Sequence, residues 1–538
     1  MPTGNLESVS LLAPGFMGLN TNDAKVGLSS GFATQADNLV LDKAGRLSSR
    51  QGHKVLNADS PLLPATEYID ALWRHDTTYT DFYMAAGNDK IFVGDLDSSG
   101  TFAKLNDITP SGASISGSRW QFQTLPEGSG DNAVINTVAV QKGNPPLVFT
   151  AETGKLVGKL LSNVGTFPTG TKTTWDPDAC LAAYGRIWTA NATEDRDTIW
   201  YSDLLDPTNF STDNAGILDI SSVIGNNDVI VGLAQHNNYL VVFCRDNIVV
   251  YKGADNPETM QLEDVITGIG CLSRDSIKAT GTDLIFMSQS GVRSLARTVL
   301  EKSMPMRELT INIKDTLNNW LRFENKPEDI RAGYSEDKAF YIVMLPFNKK
   351  MVYIDLRMAL ENGAARCSTW STTNGDLFNC FFDDTSKREF LIGIKGGIAR
   401  YEGNTDNFES YDIVYRSTSS DLGGEGQTMA KFVKRATLTI EGAKQQDFVM
   451  KYGYDYTRNP RNVVVDRDLG SGVYARYSIP TSLYGVSKYS PIGIGVHRIK
   501  VPLGGSGESF YFGLEATIYD ELMSIQKIDI FLKTGKRS

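Results

Sequence analysis

Short runs of Val, Ile, Phe, Tyr and Thr recur in clusters along this 538-residue chain, each run separated from the next by a few turn-forming residues. That rhythm restricts the fold more than any other feature. Alternating or apolar runs bounded by Gly, Asn and Asp specify strands and tight turns. One cluster holds Tyr79–Ala85 and Lys90–Val93 on either side of Gly87-Asn88-Asp89. A second holds Leu181–Tyr184, Arg186–Ala190 and Thr198–Ser202. A third joins Val229–Leu233, Tyr239–Cys244 and Ile248–Lys252 through His236-Asn237-Asn238 and Arg245-Asp246-Asn247. Ser276–Ala279, Leu284–Ser288 and Val292–Arg297 follow, then Ala332–Ser335, Lys338–Leu345 and Met351–Asp355. The last cluster is Leu377–Asp383, Glu389–Lys395 and Ile398–Tyr401.

The clusters recur every ~40–60 residues, the spacing of propeller blades of about four strands each. Neither a Trp-Asp series nor a kelch double glycine accompanies them, and a pair of β-sandwiches has similarly spaced turns. Persistence of the rhythm over so much chain favours the propeller. The expectation is an all-β chain with a β-propeller of roughly six to eight blades over residues 61–405. An N-terminal arm, residues 1–60, precedes it and packs on a neighbour. Beyond Tyr401 the texture changes at Asp421-Leu422-Gly423-Gly424-Glu425-Gly426, and the alternation of Ala436–Ile440 and Phe448–Tyr456 predicts a separate C-terminal β-sandwich-like domain within 406–538. One stretch breaks the β pattern. In Leu309–Phe323, Ile313, Leu317, Trp320 and Leu321 fall on one helical stripe, which predicts an inserted amphipathic helix capped by Thr310 or Asn312.

Composition narrows the function. The net charge of −10 argues against a chain built to grip nucleic-acid phosphates, although it leaves room for a local basic patch. The longest apolar run, Ala339–Phe347, contains Pro346 and is less than half the length of a membrane-spanning helix. The N-terminus lacks the basic and apolar regions of a signal peptide. Cys180, Cys244, Cys271, Cys367 and Cys380 are scattered and odd in number, so a reducing compartment without a disulfide framework is expected.

Motifs for chemistry are incomplete. Gly165-Thr166-Phe167-Pro168-Thr169-Gly170-Thr171-Lys172 misplaces the Lys of a phosphate-binding loop, and Gly268-Ile269-Gly270 lacks the rest of a dinucleotide fingerprint. His53, His75, His236 and His497 lie far apart and form no metal-binding spacing. Asp95-Leu96-Asp97-Ser98-Ser99-Gly100 matches the first half of a calcium loop, but its twelfth position is Asn106. Ser419-Ser420-Asp421-Leu422-Gly423 matches only the start of a sialidase Asp-box. Asp383-Asp384 offers two carboxylates, the raw material of a glycosidase, in a setting typical of a solvated turn. The expectation is therefore a non-enzyme with no catalytic, cofactor-binding or metal-binding residues and no cofactor.

The most informative local stretch runs from Asn38 to Gly52: an Asn, six residues, then Gly45-Arg46-Leu47-Ser48-Ser49-Arg50-Gln51-Gly52. It resembles the opening of the tail nozzle proteins of short-tailed bacteriophages, the tail tubular protein B family. Tyr184–Trp188, Ile199–Ser202 with Asp206-Pro207, Val242–Gly253 and Leu284–Ser288 with Gly291-Val292 are similar to further pieces of that family. The resemblance implies a structural virion protein assembled in the host bacterial cytoplasm. It implies a homo-hexameric ring at the distal end of the DNA conduit, attached to adaptor or tail-ring proteins and tail fibres. Double-stranded DNA would pass through the lumen without sequence readout, and the host surface lies within reach. Six copies carry roughly −60 in net charge, which suits a non-adhesive bore. The alternative is a receptor-binding or glycan-cleaving propeller module, which requires converging Arg and carboxylates at the propeller axis.

Overall fold

The computed structural model describes the chain except for residues 1–5, 11–15, 26–27, 42–45, 57–67, 78–80, 88, 97–101, 114, 116–118, 131–132, 169–174, 226, 301–307, 361, 374, 376, 420–428, 443–447, 456–458, 466–473, 476–487, 490–495, 521 and 536–538. It is mostly β, 55% strand and 7% helix, arranged as a six-blade β-propeller. Each blade is an antiparallel meander. Blade 1 comprises Ala71–Asp76, Asp81–Gly87, Lys90–Leu96 and Phe102–Asp107. Blade 2 comprises Gln121–Glu127, Val134–Gln141, Asn144–Glu152 and Lys155–Leu160. Blade 3 runs from Ala179–Ala183 to Gly216–Asp219, and blade 4 from Ile230–His236 to Gln261–Thr267. A short three-stranded sheet, Lys278–Ala279, Leu284–Met287 and Val292–Ser294, comes next. Blade 5 runs from Arg331–Ser335 to Arg366–Trp370.

Blade 6 closes the ring. Three of its strands, Cys380–Asp384, Glu389–Ile394 and Gly397–Arg400, are consecutive, and the fourth is Lys54–Val55 from the start of the chain. Apolar side chains fill each gap between neighbouring sheets. Met84, Phe122 and Phe149 pack between blades 1 and 2, and Trp175, Ile187 and Trp200 between blades 2 and 3. Trp188 and Val242 join blades 3 and 4, and Phe243 and Phe286 join blade 4 to the short sheet. Phe340, Trp370 and Phe390 join blades 5 and 6, and Leu56, Leu72 and Leu391 complete the circle. These are the two-faced apolar strands that the sequence rhythm encodes, each buried on both sides.

The arm expected over residues 1–60 does not stand apart. Gln35–Asp37 pairs in parallel with Arg366–Trp370 of blade 5 and antiparallel with Tyr411–Ser419. Blade 5 therefore continues through Gln35–Asp37 into Tyr411–Ser419, Phe510–Ile518, Phe448–Tyr454 and Arg461–Val465, one nine-stranded sheet. A second sheet faces its distal half: Leu39–Leu41, Leu47–Ser49, Met523–Gly535, Ala430–Gly442 and Val496–Pro502, with Glu7–Ser10 also on Met523–Gly535. Leu438, Ile440, Met450, Phe512, Leu514 and Ile528 form the shared core, which runs on into Tyr341 and Ile354 of blade 5. The strands from Tyr411 onward, with those of the N-terminal segment, thus form a β-sandwich sharing a sheet and a core with the propeller.

The inserted helix is present as a 3₁₀ turn, Ile311–Ile313, leading into Lys314–Phe323. Ile313 and Leu317 are buried, and Trp320 and Leu321 pack partly against the same core. The cap differs from expectation. Neither Thr310 nor Asn312 caps it by side chain, because the 3₁₀ turn places Ile313 at the cap and Thr310 Oγ1 accepts a bond from the Val292 amide instead.

Candidate functional site

The first strand of each sheet lines the propeller axis, and charged residues stand just before several of these strands. Asp70 precedes blade 1, Arg119 blade 2, Asp178 blade 3, Arg274 and Asp275 the short sheet, and Asp329 blade 5, whose first residue is Arg331. Arg119 pairs with Asp275 at 2.9 Å and Asp329 at 3.2 Å, joining blade 2 to sheets on the opposite side of the ring. Arg274 pairs with Asp178 at 2.7 Å and donates to the Arg119 carbonyl at 2.8 Å. Arg331 pairs with Asp70 at 3.2 Å and donates to the Asn379 carbonyl ahead of blade 6 at 2.9 Å. That strand starts meet strand starts shows that the inner strands run in one direction, as a propeller requires. Arg274 is buried, so side chains fill this mouth of the channel. Burial alone would raise the Asp275 carboxyl, but Arg274, Arg119, Arg331 and Lys278 outweigh it and hold its pKa down at about 2.

Above this floor lies a pocket of about 640 Å³. Its walls include Trp73, Gln121, Gln123, Leu181, Gln235, Ile277, Lys278 and Phe381, and its far end includes Glu336, Asp383 and Thr385. Gln121 Oε1 accepts from the Cys180 amide at 2.9 Å, and Gln123 Oε1 accepts from the Ala182 amide at 3.4 Å, which seals blade 2 against blade 3. The two ends differ in chemistry. The inner end contains three arginines and four aspartates, whose remaining negative charge is balanced by Lys278 in the field of Asp275. Burial draws Lys278 below the usual lysine range, against the opposing pull of Asp275. At the outer end, Asp383 accepts from the Glu336 amide at 2.9 Å and lies in the field of Lys338. Burial and the charges of Glu336, Asp337 and Asp384 hold its carboxyl above the usual range.

The residues that drew attention in the sequence are dispersed. Asp383 faces the axis, whereas Asp384 points away, as strand alternation demands, and binds Arg74, Tyr83 and Ser386. His75 is buried against Thr137 at 2.7 Å, and His236 lies at a hairpin turn of blade 4. His53 meets the Phe378 ring edge-on and stands 3.3 Å from Asp406, while the backbone of His497 pairs across strands with Ile440. Most of the calcium-like loop, the Thr169–Lys172 end of the phosphate-loop look-alike and the Ser420–Gly423 part of the Asp-box look-alike lie outside the described residues. Gly270 fits tightly, with a Cβ there falling 2.1 Å from the Arg245 carbonyl oxygen. All five cysteines are buried and unpaired, and burial raises every thiol. Among the described residues no group of three or more His, Cys, Asp or Glu is placed to hold a metal.

The Asn38–Gly52 stretch forms a buried knot. The Arg50 guanidinium, 0% exposed, grips Asp406 through two bonds of 2.8 and 2.7 Å, and donates to Asn38 Oδ1 at 3.0 Å and the Ser371 carbonyl at 2.7 Å. It also lies 4.2 Å from the centre of the Tyr411 ring. Asn38, at φ +56°, donates to the Asp412 carbonyl at 2.7 Å and accepts from the Ser371 amide at 2.8 Å. Four parts of the molecule meet here: the N-terminal segment, the end of blade 5, the exit of blade 6 and the first strand of the sandwich.

No family model and no curated protein matches the chain. Among solved structures it is similar to the WD40 domain of Neurospora crassa Pan2, at 9% identity and TM-score 0.34, covering 66% of this chain and 94% of that one. A protein from Lactobacillus plantarum gives 14% identity and TM-score 0.34, with coverage of 65% and 92%. PorZ, a bacterial surface component of the type-IX secretion system of Porphyromonas gingivalis, gives 8% and 0.35, covering 87% of this chain and 59% of PorZ. The propeller itself is read from its ring of sheets. No helix among the described residues is long and apolar enough to cross a membrane.

Proposed function

We propose that this chain is a structural virion protein, a subunit of the tail nozzle of a short-tailed bacteriophage. The observation that carries the reading is the Asn38–Arg50–Gly52 knot. The stretch with the family resemblance is also the one that fastens propeller to sandwich, which is what a part under mechanical load during genome ejection needs. The filled mouth of the propeller adds a constraint. DNA would run between copies arranged in a ring, not along the axis of any one propeller. The ring of six, its docking to adaptor or tail-ring proteins and tail fibres, and its non-enzymatic character all belong to this proposal. Electron microscopy of the purified protein, alone and with an adaptor ring, tests it. Rings with a central lumen are expected. Isolated monomers in both samples would overturn it, as would micromolar, salt-sensitive binding of duplex DNA.

A second reading, a receptor-binding or glycan-cleaving module, is favoured by the rim carboxylates Glu336 and Asp383 above converging Arg residues. Those arginines are already engaged by aspartates. Sugar release from host glycans that disappears in Glu336→Gln would promote this reading over the first.

A further inference from the structure

The solvent-facing side of the sandwich's second sheet is strongly basic. Across three adjacent strands it presents Arg435, Arg498, Lys500, Lys527 and Lys533. Their strand neighbours Ala436, Val501, Ile528 and Leu532 turn the other way, into the shared core, as strand alternation requires. Lys527 pairs with Asp529 at 2.9 Å, and Glu441, the other acid on this side among the described residues, is taken by Arg46. The remaining four cations make no ion pair, and the Arg435 guanidinium lies 4.2 Å from the centre of the Phe531 ring. Five cations thus stand against Asp529 alone.

This concentration runs against the rest of the chain. Residues 61–405 hold 31 Lys and Arg against 43 Asp and Glu, a net −12, more negative than the whole molecule's −10. One edge is especially acidic. The last two strands of blade 4, Asn247–Lys252 and Gln261–Thr267, and the loop joining them carry one cation, Lys252, and four carboxylates. Of these, Asp255, Glu258 and Glu263 are exposed and make no ion pair. Leu262, 47% exposed, stands among them. The basic face offers apolar surface in kind, the exposed Pro502 and the partly covered Phe531.

The shared sheet and core fix these two surfaces relative to one another, and the basic one looks away from the nine-stranded sheet. Within one molecule both stay unanswered, and a second copy supplies what each lacks. We propose that the basic sheet face of one copy docks on the acidic outer edge of blade 4 in the next. Because two different surfaces meet, the contact is head-to-tail and repeats from copy to copy until it closes. It gives the ring proposed above its interface, and rests on that reading for closure alone.

Sedimentation of the full-length protein, with carbodiimide coupling of lysines to carboxylates in direct contact, tests it. Association should weaken as salt rises, and the couplings between copies should join Lys500 or Lys533 to Glu258 or Glu263. Arg498→Glu with Lys500→Glu should weaken association at least ~10-fold, and so should Glu258→Lys with Glu263→Lys. An equimolar mixture of the two double variants should assemble again, since each reversed face then meets a reversed edge. That rescue separates a lost contact from a lost fold. Undiminished assembly by either double variant, or couplings confined to other surfaces, overturns the interface and leaves the nozzle reading standing. A native chain that stays monomeric and uncoupled, with and without an adaptor ring, overturns both. Duplex DNA binding that Arg498→Glu with Lys500→Glu abolishes would assign the face to phosphate, and so also overturns the proposal.

Discussion

Arg50 is the residue on which most of this molecule's connectivity depends. Its guanidinium is removed from water and fully answered by Asp406, Asn38, Ser371 and the Tyr411 face. Breaking such a pair leaves the other charge buried and alone, at a cost of ~3–5 kcal/mol. Arg50→Met should therefore lower the denaturant midpoint by that equivalent, and Arg50→Lys should not restore it, because an ammonium cannot reproduce the forked contact. Asp406 and His75 both contribute to the acid response, at different pH. Burial brings the His75 pKa from 6.5 down to about 4, so between those values the unfolded chain binds a proton that the folded chain refuses. Stability is complete above pH 6.5 and declines toward pH 4, by ~3 kcal/mol from this group. Burial acts upward on Asp406, but Arg50 and His53 prevail and set it at about 2 against 3.8. Its contribution is full above pH 3.8 and is lost as pH falls to about 2. Urea midpoints measured from pH 8 to 3 should show the first decline in the native protein and not in His75→Asn.

Among the elements, the legible strands were those with two apolar faces. Tyr239–Cys244 and Phe340–Leu345 are buried along nearly their whole length, and their sequences say so. The outer strands were silent because one face meets solvent: Gly216–Asp219 and Gln261–Thr267 are largely polar or exposed. Blade 2 escaped notice for a different reason. Pro126 sits in its first strand and Pro145-Pro146 begin its third, residues that normally argue against a strand. The axial charges were each visible as single letters before a strand, but their pairing joins positions such as Arg331 and Asp70, which no local pattern connects. The closing strand, Lys54–Val55, is the shortest of blade 6 and depends on the close approach of Gly52 to Thr405. A Cβ on Gly52 would lie 1.9 Å from the Thr405 carbonyl oxygen. Gly52→Ala should cost ~1–3 kcal/mol or more. Hydrogen exchange should then accelerate selectively at the Leu56 amide and across Gly397–Arg400, while Ile230–His236 of blade 4 stays protected.

For the whole molecule, the decisive fact is that propeller and sandwich share one sheet. Where the sequence texture suggested a boundary, the backbone hydrogen bonds continue from Arg366–Trp370 through Gln35–Asp37 to Tyr411–Ser419. Two independently folding domains would unfold in two steps. A continuous sheet with a common core should give one calorimetric transition, coincident by near- and far-ultraviolet circular dichroism. Two transitions separated by several degrees would show that the shared strand does not couple the halves. The blade 6 closure has a further consequence, in time. Val55 pairs with Ala399, about 340 residues later, which at ~5–20 residues per second leaves the ribosome a wait of about 17–70 seconds. Ala36 waits still longer for Tyr415. Throughout that interval the first strands of the chain exist without partners while blades 1 to 5 are completed, so the nascent protein is an open arc with exposed strand edges. Whatever protects those edges during synthesis decides the yield of this protein as much as the stability of its finished ring.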